Sequence, residues 1–308
     1  MNIAFHVLKI LFGLVFILSG YLKLYPIEPF EFSFVESGFS GWKLAPFFAR
    51  FLIGLEFLIG AFFILQMRIP RYLFWLTVAV LVFFMVYLVV QITVYGNAGN
   101  CGCFGSAIEM TPLQAIFKNG ILLGILVFLY WYKPGNFRNK LYTYLLGLVA
   151  ATSFAMPFIL NPVDLSYSGT YLKESAINER IDLNLLYDNA TLNTPPRTLS
   201  KGKHIIAFLS LTCKHCRMAT NKMRIIQERQ PSVPFYFVLN GKMEKLEQFY
   251  ALTRSRKIPH CMLLGKPFIM LAGLDLPTIY LINNGVVEHS IDYFSMNEEG
   301  LLNWYNKK

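Results

Sequence analysis

The sequence predicts an α-helical transmembrane bundle of five spans followed by a soluble α/β domain. Three observations predict it. The 308 residues are 55% hydrophobic, above the share an ordinary soluble domain carries. That excess is concentrated before residue 161, in runs of about 20 residues, the length a bilayer needs. After residue 195, short apolar β-branched runs alternate with helical patterns. The expected organisation is a membrane bundle over 1–161, a linker over 162–194 and a soluble α/β domain over 195–308.

The five apolar runs are 3–24, 45–65, 72–95, 112–132 and 141–160. The first sits where a signal peptide would. Its apolar run is too long for one, no clear small-residue cleavage site follows, and four further runs come after it. Thr111-Pro112 starts the fourth run with a capping residue and a proline at the first helical position.

Charge gives an orientation. The net charge is +10, and each half of the chain carries half of it. No basic stripe, finger or aromatic platform accompanies this charge, so no nucleic-acid partner is expected. The loop between the second and third spans holds Arg68 and Arg71. The loop between the fourth and fifth holds Lys133, Arg138 and Lys140. Basic short loops stay in the cytoplasm. The opposite loops carry Glu28, Glu31 and Glu36 against Lys43, and Glu109 alone. This places the amino terminus in the cytoplasm and everything after residue 161 outside.

Glu56 lies in the middle of the second span. A carboxylate there must be paired, protonated or face a cavity, and its readings are a role near a quinone or proton site or a protonated group bonded to a neighbouring helix. Lys23 and Arg50 lie near span ends on the outer side, where snorkelling would carry their charges to water. Either could instead partner Glu56.

The chain has five cysteines: Cys101, Cys103, Cys213, Cys216 and Cys261. Four form two close pairs, with spacings that suit redox or metal chemistry better than fold stapling. Cys101-Gly102-Cys103 stands among glycines 96, 99, 102 and 105, a turn flexible enough to expose both sulfurs. A disulfide across one residue closes a small strained ring that is easily reduced. A structural loop disulfide or a pair of metal ligands are the other readings.

The run Phe16 to Leu24, the segment Arg50 to Gly60, and Cys101-Gly102-Cys103-Phe104-Gly105 resemble the MauE/DoxX-like family of bacterial membrane proteins over roughly residues 1–135. The resemblance implies a location in the bacterial inner membrane and disulfide chemistry in the periplasm. The family usually has four spans. The fifth span here reads as an adaptor that returns the chain to the outside.

In the soluble half, His204 to Ser210 reads as a buried strand, and Cys213-Lys214-His215-Cys216 opens a helix over 214–229. Phe235 to Asn240 and His260 to Leu264 read as strands, with a helix over 243–256 between them. A hairpin across Asn284-Gly285 and a helix over 296–306 complete the pattern. Residues 163–200 read as polar and irregular. A strand followed by Cys-x-x-Cys at a helix start, with Leu276-Pro277-Thr278 before a later strand, resembles the thioredoxin-like fold over 195–308. The resemblance implies a cis-proline at Pro277. The aromatic residue that often precedes the first cysteine is Thr212 here.

Cys213 at a helix amino terminus would have its thiolate stabilised by backbone N–H groups and by Lys214, His215 and Arg217. That favours the reduced pair and makes it oxidising. Cys213 is the attacking or attacked sulfur and Cys216, one turn inward, the resolving one. His215 occupies the position where strongly oxidising relatives of that fold also carry histidine; otherwise it is surface filler. Cys261 reads as a buried small hydrophobe.

No cysteine lies on the cytoplasmic side, so electrons reaching Cys101–Cys103 need a non-thiol acceptor, and a membrane quinone is the expected one. No covalently bound cofactor is expected. The expected function is oxidation of periplasmic dithiol proteins through Cys213–Cys216 to Cys101–Cys103 and on to quinone. The alternatives are a periplasmic reductase or isomerase, a thiolate metal-binding assembly factor, and a redox-inert assembly partner.

Overall fold

The computed structural model describes residues 3–65, 69–97, 101–106, 108, 110–132, 140–163 and 174–307. Of the residues named above, Arg68, Gly99, Glu109, Lys133 and Arg138 lie outside them. The chain divides into two units, Met1–Val163 and Asp164–Lys308.

In the first unit every apolar run is a helix: α1 (Ile3–Leu24), α3 (Ala45–Leu65), α4 (Arg71–Tyr95), α5 (Pro112–Tyr132) and α6 (Lys140–Leu160). Among the described residues α1, α3, α4 and α5 are long and apolar enough to cross a membrane. The 21 residues of α6 span about 31 Å at 1.5 Å per residue, although its apolar stretch, Tyr144–Leu160, is shorter. The chain is a multi-pass membrane protein.

Small residues set how closely these helices approach, as apolar helices in lipid require. A Cβ on Gly13 of α1 would lie 2.7 Å from the Gly60 carbonyl oxygen of α3, and a Cβ on Gly60 would lie 2.7 Å from that of Gly13. On another side of α3, a Cβ on Gly54 would meet Phe154 of α6 at 2.8 Å. At the start of α5 the Thr111 N–H donates to Gln114 Oε1 at 3.0 Å, and the Gln114 N–H donates to Thr111 Oγ1 at 3.4 Å. This reciprocal pair is a capping box.

The segment after α1 is a helix, α2 (Glu28–Glu36), and not a simple acidic loop. Its Glu31 is buried and accepts from Arg50 Nη1 at 2.6 Å. Arg50 therefore does not snorkel. Its Nε and Nη2 also donate to the carbonyls of Asn161 and Pro162, at 2.7 and 3.1 Å, and Asn161 Nδ2 donates to the Leu24 carbonyl at 3.0 Å. One guanidinium thus ties the end of α6 to α2 and α3.

The second unit is a six-stranded mixed sheet in the order β2-β7-β6-β3-β4-β5. The strands are β2 (Glu174–Arg180), β3 (Lys203–Ser210), β4 (Phe235–Asn240), β5 (His260–Met262), β6 (Thr278–Asn283) and β7 (Val286–Ile291). A short strand of the membrane unit, β1 (Cys103–Ser106), precedes them in the chain. Strands β3, β4 and β5 run parallel, while β6, β7 and β2 continue antiparallel from β3. The central β7-β6-β3-β4 arrangement, with α8 (Lys214–Arg229) crossing from β3 to β4, is thioredoxin-like. The β6–β7 hairpin turns at Asn284 and Gly285, both with positive φ, the backbone a two-residue type I′ turn requires.

The reading of 162–194 as a linker needs correction. Strand β2 pairs with β7 and extends the sheet. Helix α7 (Leu183–Asn189) buries Leu183 and Leu186 in the same apolar cluster as Ile206, Phe208 and Phe268. Polar residues fit here because β2 is an edge strand, with Asn178, Glu179 and Arg180 exposed. The predicted helix over 243–256 is a 3₁₀ turn, Met243–Lys245, followed by α9 (Leu246–Thr253). The segment after α9 contains β5 and a short helix, α10 (Lys266–Ala272). The chain closes with α11 (Glu298–Asn306).

Candidate functional sites

The first cysteine pair is not exposed by its glycine turn. Cys101 is 4% and Cys103 7% accessible. The reason lies in Gly105, whose φ is +61° and whose added Cβ would collide with the Leu22 carbonyl oxygen. With no side chain there, β1 drops onto the C-terminal end of α1. The Cys101 N–H donates to the Met110 carbonyl at 2.8 Å, which closes the loop, and the Cys103 N–H donates to Cys101 Sγ at 3.3 Å.

This descent brings the cysteines to the charges inside the bundle. Lys23 is 1% accessible and Glu56 is 4% accessible. Lys23 Nζ lies 2.5 Å from Glu56 Oε1 and donates to Ser19 Oγ at 2.8 Å. The Ser19 hydroxyl has two acceptors within 3.1 Å, Glu56 Oε1 and the Cys103 carbonyl. Lys23 is therefore Glu56's partner and does not snorkel. Burying an ion pair is costly unless the remaining polar capacity is satisfied, and Glu56 Oε2 is buried without a hydrogen-bond partner.

A cavity of about 20 Å³, room for one water, is lined by Ser19, Lys23, Glu56, Cys103, Lys118 and Asn119 among apolar neighbours. Lys118 Nζ lies 4.3 Å from the centre of the Phe104 ring, a cation–π distance. Ser19, Lys118 and Asn119 belong to this site and were not picked out from the sequence. The signal was present: Lys118 is an ionisable residue within a span, and Ser19 stands four residues before Lys23 on the same helix face.

The two sulfurs differ. The hydrogen bond from the Cys101 thiol, with the charges of Lys118 and Lys23, lowers Cys103 from 9.0 to about 7 against its burial and the charge of Glu56. The same hydrogen bond, with burial, raises Cys101.

The second pair has the geometry its sequence predicted. Cys213 is the N-cap of α8 and half-buried, and the Cys216 N–H donates to its sulfur at 3.2 Å. Cys216 lies one turn inward, fully buried, with the Ser210 N–H 3.4 Å from its sulfur. Burial raises the Cys216 thiol, as does its hydrogen bond to Cys213. The Leu276–Pro277 peptide is cis, and the Leu276 carbonyl lies 4.0 Å from Cys213 Sγ.

His215 is exposed, its ring 6.2 Å from that of Tyr293. It lines a groove of about 770 Å³ with residues 272–278 and 290–295, Pro277 among them. One wall of that groove is held by a residue the sequence reading missed. Lys222 of α8 is 2% accessible and donates to the Tyr293 and Phe294 carbonyls at 2.8 and 2.9 Å. Cys261 is fully buried on β5, as expected.

Comparison with known proteins gives matches in both halves. Residues 1–132 match the family of methylamine utilisation protein MauE. The chain is 27% identical over 329 aligned positions to protein TlpB of Flavobacterium psychrophilum, covering 91% of this chain and 89% of that protein. A structural comparison relates 38% of this chain to 91% of the thioredoxin domain of a thiol-disulfide oxidoreductase from Bacteroides vulgatus, with 14% identity and a TM-score of 0.31.

Proposed function

We propose that this chain is a membrane thiol–disulfide oxidoreductase that oxidises periplasmic protein dithiols through Cys213–Cys216, passes the electrons to Cys101–Cys103, and delivers them to a membrane quinone. The observation that carries the reading is the asymmetry of the second pair. Cys213 caps a helix and is half-buried, with His215 of the same helix lining the groove, while Cys216 is buried behind it with its thiol held up. One sulfur meets the substrate, and the other is its buried partner, the leaving sulfur when the disulfide is attacked and the resolving one when Cys213 attacks.

In the oxidising direction a substrate thiolate attacks Cys213 Sγ, and the Cys213–Cys216 bond breaks with its electron pair on Cys216. A second substrate thiol, losing its proton, then attacks the first substrate sulfur and releases Cys213. The substrate leaves as a disulfide, and two electrons stay on the reduced pair. The same two steps repeated at Cys101–Cys103 pass them on.

Topology supports the coupling. Two spans, α5 and α6, separate the Cys101–Cys103 loop from the second unit, and an even number of crossings returns the chain to the same face. The basic loops make that face the periplasmic one, with the amino terminus in the cytoplasm of a bacterial inner-membrane protein. The cavity beside Cys103 has the volume of one water, so a quinone ring reaches the sulfurs only by displacing the side chains around them.

The test is the redox state of Cys213–Cys216 in cells, read by acid quench and alkylation with a mass-shifting maleimide. In the wild type the pair should be oxidised. With Cys101→Ser and Cys103→Ser together it should accumulate reduced. A mainly reduced wild type would indicate a reductase or isomerase, and an unchanged double variant would break the relay.

A further inference from the structure

The cavity beside Cys103 has a charge composition that the relay leaves unused. Lys23 from α1, Lys118 from α5 and Glu56 from α3 line it, together with the Cys103 sulfur of the α4–α5 loop. From α4 only Leu81 and Phe84 reach it. With both lysines charged and Glu56 ionised, the lining carries one surplus positive charge. Cys101 does not line this cavity. Glu56 Oε2 is buried without a hydrogen-bond partner, and the cavity has the volume of one water. A water there would bridge the carboxylate toward the cysteine.

We propose that Cys103 is the sulfur released when the Cys101–Cys103 disulfide opens, and that Lys23, Lys118 and Glu56 form the charge site that receives it as a thiolate. The identity of the incoming dithiol rests on the relay above; the charge site does not. The donor thiolate attacks Cys101 Sγ, and a donor–Cys101 disulfide forms. The Cys101–Cys103 bond breaks, and its electron pair leaves on Cys103. The second donor thiol loses its proton to water and attacks the first donor sulfur. The donor disulfide forms, and Cys101 departs with the electron pair and takes a proton. Two electrons now rest on the pair, with one proton on Cys101.

The Cys103 thiolate brings the four groups at the cavity to neutrality. A buried charge persists only when it is compensated in this way. Lys118 and Lys23 act as positioning residues, since they hold the charge and not the bond being made. Glu56 fixes Lys23 and sets the surplus at one charge. Without it the site would hold two uncompensated lysines when the pair is oxidised and one when it is reduced.

The experiment is a pH titration of reduced full-length protein in lipid nanodiscs, with ¹³Cβ-labelled cysteine read by NMR. Cys213, Cys216 and Cys261 are replaced by Ser so that only Cys101 and Cys103 report. Cys103 should ionise at lower pH than Cys101. Lys118→Met should move the Cys103 midpoint up by about one pH unit or more, the effect of losing a nearby opposite charge. Lys118→Arg should leave it in place. Glu56→Gln should move it down. Opposite signs are the signature of a charge site, because a merely structural role would shift both variants alike. Each variant carries its sign alone should the other not fold. Cys101 ionising first, or a midpoint unmoved or moved the wrong way in a folded variant, would overturn the proposal. A broken relay would show in the cellular redox assay and leave this titration unchanged.

Discussion

The two cysteine pairs are held by different means. Cys213–Cys216 relies on local structure: a strand ends, a helix begins, and the helix terminus supplies an N–H to the half-buried sulfur of Cys213. Cys101–Cys103 relies on parts distant in the chain. Ser19 and Lys23 come from α1, Glu56 from α3, and Lys118 and Asn119 from α5. A local site is robust to change elsewhere and open to partners. A site assembled from several helices fixes its charges, and it depends on every helix staying in register.

The strongest way to break this comparison is to remove one member of the Lys23–Glu56 pair. Glu56→Ala leaves an ammonium buried among apolar side chains, which costs about 3–5 kcal/mol in comparable buried pairs. The double replacement Lys23→Met with Glu56→Met should cost less than Glu56→Ala alone, because no charge is left stranded. Thermal unfolding of the full chain in detergent would check this. Equal losses in the single and double variants would show that the pair contributes by packing alone. At the soluble site the matching change, His215→Ala, should leave stability within about 0.5 kcal/mol, as replacements of exposed residues usually do.

A smaller effect is expected at Lys222, a buried charge that supports the soluble site. Lys222→Met removes the donor to two carbonyls that shape the groove wall. Removing the donor to the buried Tyr293 carbonyl costs about 1–3 kcal/mol. Exchange with a peptide substrate should weaken mainly through KM, since Cys213 and Cys216 keep their own hydrogen bonds. A fall in kcat with KM unchanged would show instead that Lys222 acts on the sulfurs.

The same contrast explains how much could be read from sequence. The five helices were legible because lipid imposes one length and one composition on a span. The soluble site was legible because Cys-x-x-Cys, its helix and the later Leu276-Pro277 are read along one chain. The cluster around Cys103 was only half legible. Glu56 announced itself as a charge in a span, but its partner could be Lys23 or Arg50, and sequence order does not choose. The choice is made by packing: Arg50 is drawn to Glu31 and the end of α6, which leaves Lys23 for Glu56. The burial of Cys101 and Cys103 was missed because glycine reads as freedom in a sequence. At Gly105 its value is the absence of a side chain against Leu22. Strand β2 and helix α7 were missed because a polar edge strand and a helix of seven residues leave little periodic signal.

The smallest and most specific prediction concerns pH. Cys103 is lowered from 9.0 to about 7, so below pH 7 reduction of the Cys101–Cys103 disulfide takes up two protons with its two electrons. Its midpoint potential should then fall by about 59 mV per pH unit. Between pH 7 and 9 Cys103 stays a thiolate while Cys101, raised by its hydrogen bond to Cys103 and by burial, still takes a proton. The slope should halve to about 30 mV per pH unit. The sign follows from linkage: stabilising the deprotonated sulfur favours the reduced pair wherever an ordinary thiol would still be protonated, so the membrane pair becomes the better oxidant across that window. In the soluble pair the raised thiol of Cys216 requires its proton throughout the same window, so that sulfur contributes no break there. Equilibration of each pair against a dithiol buffer from pH 6 to 9, with the other pair replaced by Ser, reads the two slopes separately. A break near pH 7 in the membrane pair ties its electron affinity to the charges around Cys103. An unbroken two-proton slope would mean that both sulfurs of the membrane pair are protonated when reduced, and that the lysines beside Cys103 serve the packing of the helices alone.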